Sequence, residues 1–100
     1  MRLTQRQIEI ITETVSRIAG AKAQVFLFGS QLDDMARGGD VDILIETPYR
    51  LRRVEQARIK MELERMLGRP VDLLVHVQGA TPTSFHKIAK AKSVRLEGSS

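Results

Sequence analysis

The 100-residue chain has no cysteine and no tryptophan, and only one tyrosine and three phenylalanines. Without cysteine it builds neither a disulfide nor a thiolate metal site. Four aromatic residues are too few for a base-stacking surface of the kind that single-stranded nucleic acid needs. No apolar run approaches the ~20 residues that span a bilayer. The start, Met1-Arg2-Leu3-Thr4-Gln5, lacks the apolar centre of a signal peptide. A cytoplasmic chain with no membrane partner is the expectation.

The composition is that of a soluble globular domain. Hydrophobic residues make up 42% of it, and the mean hydropathy is -0.18. One hundred residues suffice for a single modest core. The expected domain is 1–97, with 98–100 a frayed tail. The net charge of +4 and pI of about 10.0 raise nucleic acid as a partner. The bases are dispersed, however. Arg50, Arg52, Arg53, Arg58, Lys60, Arg65 and Arg69 alternate with Glu55, Glu62 and Glu64. That pattern reads as the solvated face of a helix, so nucleic acid is not expected as the main partner.

Periodicity and breakers give the element order. Thr4 to Gly20 reads as a helix, with Thr4 and Gln7 spaced as a capping box and Gly20 as its stop. Ile8, Ile11, Val15 and Ile18 lie on one face of it. Gln24–Phe28 is a short strand, Ser30 to about Arg37 a short helix, and Val41–Glu46 a second strand. Tyr49–Leu67 is the longest helix, with Leu51, Val54, Met61 and Leu63 expected to be buried. Met35, Met61 and Met66 read as gap-filling apolar residues. Val71–Val77 is the third strand, Thr83–Lys92 a short basic helix, and Val94–Leu96 an edge strand. The alternation implies one sheet with helices packed on it, an α/β or α+β fold. Strand directions are not settled by the pattern.

The chemistry concentrates in one stretch. Phe28-Gly29-Ser30 closes an apolar run, and nine residues later Asp40-Val41-Asp42-Ile43-Leu44 opens the next. Residues two apart on a strand share a face, so Asp40 and Asp42 project together, about 7 Å apart. Two acids among apolar neighbours repel and cost desolvation, and a divalent cation neutralises both. The start of a helix after a Gly-Ser turn is a ready anion site. A phosphate cradle facing paired carboxylates is the equipment of phosphoryl or nucleotidyl transfer. A third acid, Asp72, lies in the strand-like run Val71-Asp72-Leu73-Leu74-Val75. Plainer readings stay open: two solvated acids at a strand end, an acid at a loop-to-strand edge, and Ser30 as an ordinary helix cap. His76 shares the face of Asp72 by parity and reads either as a satisfied histidine or as facing a nucleotide. Arg37 reads equally as a solvated loop charge or as a phosphate contact.

Gly29-Ser30, the spacer, Asp40-x-Asp42 and the later Asp72 resemble the DNA polymerase β-like nucleotidyltransferase superfamily. Over nearly the whole chain the pattern looks like the minimal nucleotidyltransferases, commonly antitoxins paired with a HEPN-domain toxin. The resemblance implies a small mixed sheet of three to four strands packed with helices. It implies Asp40, Asp42 and Asp72 as catalytic residues and as ligands of two Mg²⁺, with Asp72 accepting the proton of the acceptor hydroxyl. Gly29, Ser30, Gln31 and Arg37 are implied as nucleotide-binding. The implied activity is transfer of AMP from ATP to a hydroxyl, a tyrosine of a cognate HEPN toxin, with homo- or hetero-oligomers open. Gln31 departs from the pattern, since many relatives carry Arg there. So does Gly39, where a Ser often precedes the first acid. Two alternatives stand beside this: a catalytically weak antitoxin that neutralises by contact, and a small-molecule nucleotidyltransferase, for which 100 residues leave little room.

Overall fold

The computed structural model describes residues 3–28, 40–91 and 93–96. The elements are α1 (Gln5–Ala19), β1 (Gln24–Phe28), β2 (Val41–Thr47), α2 (Arg53–Leu67), β3 (Val71–Val77), α3 (Ser84–Ala91) and β4 (Val94–Leu96). The short helix expected from Ser30 to about Arg37 lies outside the described residues.

Capping fixes where α1 begins. The Thr4 hydroxyl accepts the Gln7 N–H, and the Gln7 side chain accepts the Thr4 N–H. This satisfies two amides that the first turn leaves open. Gly20 ends the helix at φ 100°, a backbone that side chains rarely adopt. A Cβ there would also meet the Tyr49 hydroxyl at 1.8 Å. That hydroxyl donates to the Ala19 carbonyl, so the segment after β2 is tied to the end of α1.

The four strands form one sheet in the order β3-β2-β1-β4. β1 runs antiparallel to β2 and to β4, and β2 runs parallel to β3. The sheet is therefore mixed, as the resemblance implied. Helix α2 supplies the crossover that a parallel pair requires.

One sheet face is the core. Val25, Leu27, Val41, Ile43, Ile45, Val71 and Leu96 meet Ile11, Val15 and Ala19 of α1 and Ile59 and Leu63 of α2. Each of the larger aliphatics contributes about 1.5–3 kcal/mol by burial. The α1 face is as expected, with Ile8 and Ile18 packed at its margin.

The α2 face is a correction. Leu51 and Leu63 are buried as expected, but Val54 is 55% and Met61 68% exposed, and Met66 is exposed too. The buried stripe runs through Ile59 and Leu63, four residues apart. Met61 lies about 200° around the helix from Ile59 and so faces outward. The helix also starts later than Tyr49, because residues 48–52 carry the chain away from the end of β2 and bury Leu51 on the way. Among the described residues no helix is long and apolar enough to cross a membrane.

Candidate active site

The second sheet face carries the candidate acids. Along β2 the side chains alternate, so Asp42, Leu44 and Glu46 oppose the core set Val41, Ile43 and Ile45. β3 repeats the pattern with Asp72, Leu74 and His76. The register pairs them rung by rung: Asp42 with Asp72, Leu44 with Leu74, and Glu46 with His76. Strands are about 4.8 Å apart, so Asp42 and Asp72 are immediate neighbours on one face. Asp42 is half-buried and Asp72 exposed. Asp40 is exposed and directly precedes β2. The last residue of β1, Phe28, is the register partner of Asp42 on the other side. Gly29, Ser30, Gln31 and Arg37 lie outside the described residues.

Helix α2 holds the acid-bearing end of β3. The Glu64 carboxylate accepts the Val71 N–H at 2.9 Å, and the Lys60 ammonium donates to the Val71 carbonyl. The two side chains pair with each other at 3.3 Å. Both polar groups of the residue before Asp72 are thus taken by one i,i+4 pair. The Val41 N–H donates to the Pro70 carbonyl at 2.9 Å, locking the two strand starts together. The hydrogen bond from Val71 holds the Glu64 carboxyl below the usual carboxylate range, with Lys60 assisting. Sequence alone assigned Lys60 and Glu64 to a solvated face. Their spacing was visible, but the strand start they would grip was not. Glu62, from the same run, pairs with Arg17 of α1.

One rung beyond the leucines sits a second charged group. Glu46 is only 9% exposed. It accepts from the Lys90 ammonium of α3 and contacts His76 Nδ1 at 3.0 Å. His76 Nε2 faces the Ala80 carbonyl at 3.0 Å. With an acceptor at each nitrogen the imidazolium is favoured: the bond to Glu46 raises the His76 pKa above its ordinary value, and the one to Ala80 adds to this. Burial pushes the Glu46 carboxyl up, but the hydrogen bonds and charges of Lys90 and His76 outweigh it and hold it below the usual range. Both His76 ring nitrogens have partners, as the satisfied-histidine reading expects. Glu46 was missed, although it follows Asp42 by four residues, as His76 follows Asp72, and parity puts each pair on one face.

Hard oxygen donors without thiolates suit a cation such as Mg²⁺, which takes one or two carboxylates and leaves its other positions to water and substrate phosphates. The Asp42–Asp72 pair fits that open type of site. A closed cage is not built: among the described residues no three His, Cys, Asp or Glu side chains converge on one point.

A family model described as a nucleotidyltransferase domain matches residues 8–99. No curated protein sequence matches the chain. Solved structures do. One is the complex of a tri-AMPylated HEPN toxin from Shewanella oneidensis with an MNT antitoxin, at 21% identity and TM-score 0.67 over 96% of this chain and 74% of that one. A toxin–antitoxin structure with AMP-PNP matches at 20% identity and TM-score 0.71, over 97% and 75%. The MntA-HepT toxin–antitoxin complex matches at 20% and 0.70, over 96% and 74%. At these identities the likeness is one of fold.

Proposed function

We propose that this chain, which belongs to the nucleotidyltransferase domain family, transfers AMP from ATP to a hydroxyl of a HEPN toxin and acts in the cytoplasm as its antitoxin. The observation that carries the reading is the register of Asp42 against Asp72 on parallel strands of one sheet face. Like charges held side by side cost stability unless a cation joins them. Two carboxylates side by side on one face are also the donor set that an open Mg²⁺ site uses, which supports a ligand there. The neighbours of like fold include a tri-AMPylated toxin bound to its antitoxin and a complex with AMP-PNP, which supports a protein acceptor and ATP as donor.

In this reading Asp40, Asp42 and Asp72 hold two Mg²⁺, which supply charge neutralisation for the triphosphate and the attacking oxygen. Asp72, exposed at the strand start, receives the proton of the acceptor hydroxyl, a tyrosine in the form we favour. That oxygen attacks the α-phosphorus in line, the bond to the pyrophosphate breaks, and pyrophosphate leaves. Gly29, Ser30, Gln31 and Arg37 bind the phosphates. The Lys60–Glu64 pair acts on β3 by positioning: it fixes the backbone from which Asp72 projects, and positional precision is worth much in such transfers.

The test is coexpression with a HEPN-domain toxin as partner, followed by intact-mass measurement of that partner. The partner's mass should rise by whole AMP increments with the wild-type chain. It should stay unmodified with Asp42→Asn while the two proteins still copurify. Silencing of the partner with no change of mass would favour neutralisation by contact alone, which makes no use of the paired acids.

A further inference from the structure

The face that carries the acids continues beneath α3, where a cavity of about 320 Å³ opens between helix and sheet. Leu44 lines it, and Pro82 and Ala91 add apolar wall. The remaining lining is titratable: Glu46, His76, His86, Lys87 and Lys90. The one carboxylate is already engaged, by Lys90 and His76. His76 has no nitrogen left, since Nε2 faces Ala80.

Three donors remain. Lys87 has no ion-pair partner among the described residues. The Lys90 ammonium, which also lies 4.6 Å from the Phe26 ring centre, has three N–H groups and gives one to Glu46. His86 Nδ1 accepts the Thr83 N–H at 3.2 Å, which leaves the proton of the neutral ring on Nε2, a donor. Two lysines against one glutamate leave the cavity positive even before His76 is counted. The His76 and His86 rings lie 5.2 Å apart and offer an aromatic flank. A positive hollow with an apolar floor, at the small end of the size range of ligand pockets, suits an anion carried on a flat or apolar body.

We propose that this cavity is a second ligand site, for an organic phosphate of the nucleoside monophosphate class. The phosphate lies on Lys87, Lys90 and His86 Nε2, and the body lies over Leu44. The Glu46–His76 rung is four residues beyond the Asp42–Asp72 rung, about 13 Å along the strands. Two of its three donors are ammonium groups, so binding needs no divalent metal. This separates the cavity from the acid site and makes the proposal independent of the transfer reading.

The test uses the full chain in chelator at constant ionic strength, with the ring signals of His76 and His86 followed by NMR. AMP, inorganic phosphate and adenosine are titrated separately. AMP should give saturable shifts of both rings, with phosphate and adenosine each binding several-fold more weakly. Lys87→Glu, on an exposed residue, should weaken AMP about fivefold or more while leaving the amide spectrum native. An Asp42→Asn, Asp72→Asn double variant should bind AMP as the wild type does. The proposal is overturned if no saturable shift occurs in chelator, or if sodium chloride gives the same shift. Phosphate binding as tightly as AMP would overturn the nucleotide class. Shifts that need Mg²⁺ and vanish in the double variant would make the cavity an arm of the acid site. Any of these outcomes leaves the transfer reading intact.

Discussion

Two rungs of one sheet face, four residues apart on the same pair of strands, are built in opposite ways. Asp42 faces Asp72 near the strand starts; Glu46 faces His76 further along. The second rung is complete within the fold, because Lys90 and His76 satisfy Glu46 and Ala80 satisfies His76. In the first, carboxylate faces carboxylate near the strand starts. A rung of opposite charges stabilises the fold that holds it. A rung of like charges costs stability unless a bound cation offsets it. Under the proposed function, the same backbone geometry serves structure at one rung and chemistry at the other, and the side-chain charges make the difference.

The largest effect should come from breaking the first rung. Asp42→Asn or Asp72→Asn should lower the transfer rate by at least about a hundredfold, the order that loss of one charge-stabilising group costs in enzymes. Without metal, the unfolding midpoint should stay level or rise slightly, because a repulsion has been removed. A large fall in midpoint would make these acids structural.

The second rung should respond in the reverse sense. Glu46→Ala leaves Lys90 and a half-buried His76 without their carboxylate. It should cost about 1–3 kcal/mol in urea unfolding, with the Mg²⁺ requirement of transfer unchanged. A neutral outcome would remove the contrast between the rungs.

Much of this was legible in the sequence. The strand runs, the Thr4–Gln7 cap and the stop at Gly20 are local signals, and all three recur in the fold. The acids stood out because Asp42 and Asp72 interrupt apolar strands and Asp40 directly precedes one; their role as a site is the proposal. What stayed hidden is what depends on pairing between distant segments. No local pattern sets Asp42 beside Asp72 rather than one residue out of register. None says that Lys60 and Glu64 reach the start of β3, or that Lys90 comes back over the sheet to Glu46. Val54 and Met61 were misplaced for the same reason: an apolar residue on a charged helix declares its face only when the stripe through Ile59 and Leu63 is known. The roles of Gly29, Ser30, Gln31 and Arg37 rest on resemblance.

A smaller effect sharpens the comparison through pH. His76 has its pKa raised in the native state, so the fold holds more protons than the unfolded chain just above the ordinary histidine value. Its stabilisation is complete below that value and is lost as pH rises through the native one. Glu46 has its pKa lowered, and its contribution is present above the usual carboxylate range and lost as pH falls through the lowered value. The second rung therefore stabilises most between these limits. Urea midpoints from about pH 6 to about pH 8 should fall more steeply for the wild type than for His76→Gln. Parallel curves would mean that His76 does not carry the dependence.

The smallest expected effect concerns Gln31. Restoring Arg there should tighten ATP binding in the presence of Mg²⁺ several-fold. That is short of the roughly 1.5–3 kcal/mol of a favourable charge-assisted bond, because Asp33 and Asp34 follow two and three residues later in the sequence. Equal affinities by calorimetric titration would mean that glutamine is no handicap.

The most direct measurement follows the carboxylate carbons themselves. Mg²⁺ is added to the ¹³C-labelled chain already saturated with a non-hydrolysable ATP analogue, and the side-chain carboxyl shifts of Asp42, Asp72 and Glu46 are recorded. The account predicts that Asp42 and Asp72 move together along one saturating curve while Glu46 stays where it is. A Glu46 response with a silent aspartate pair, or no saturable response from either rung, would contradict it.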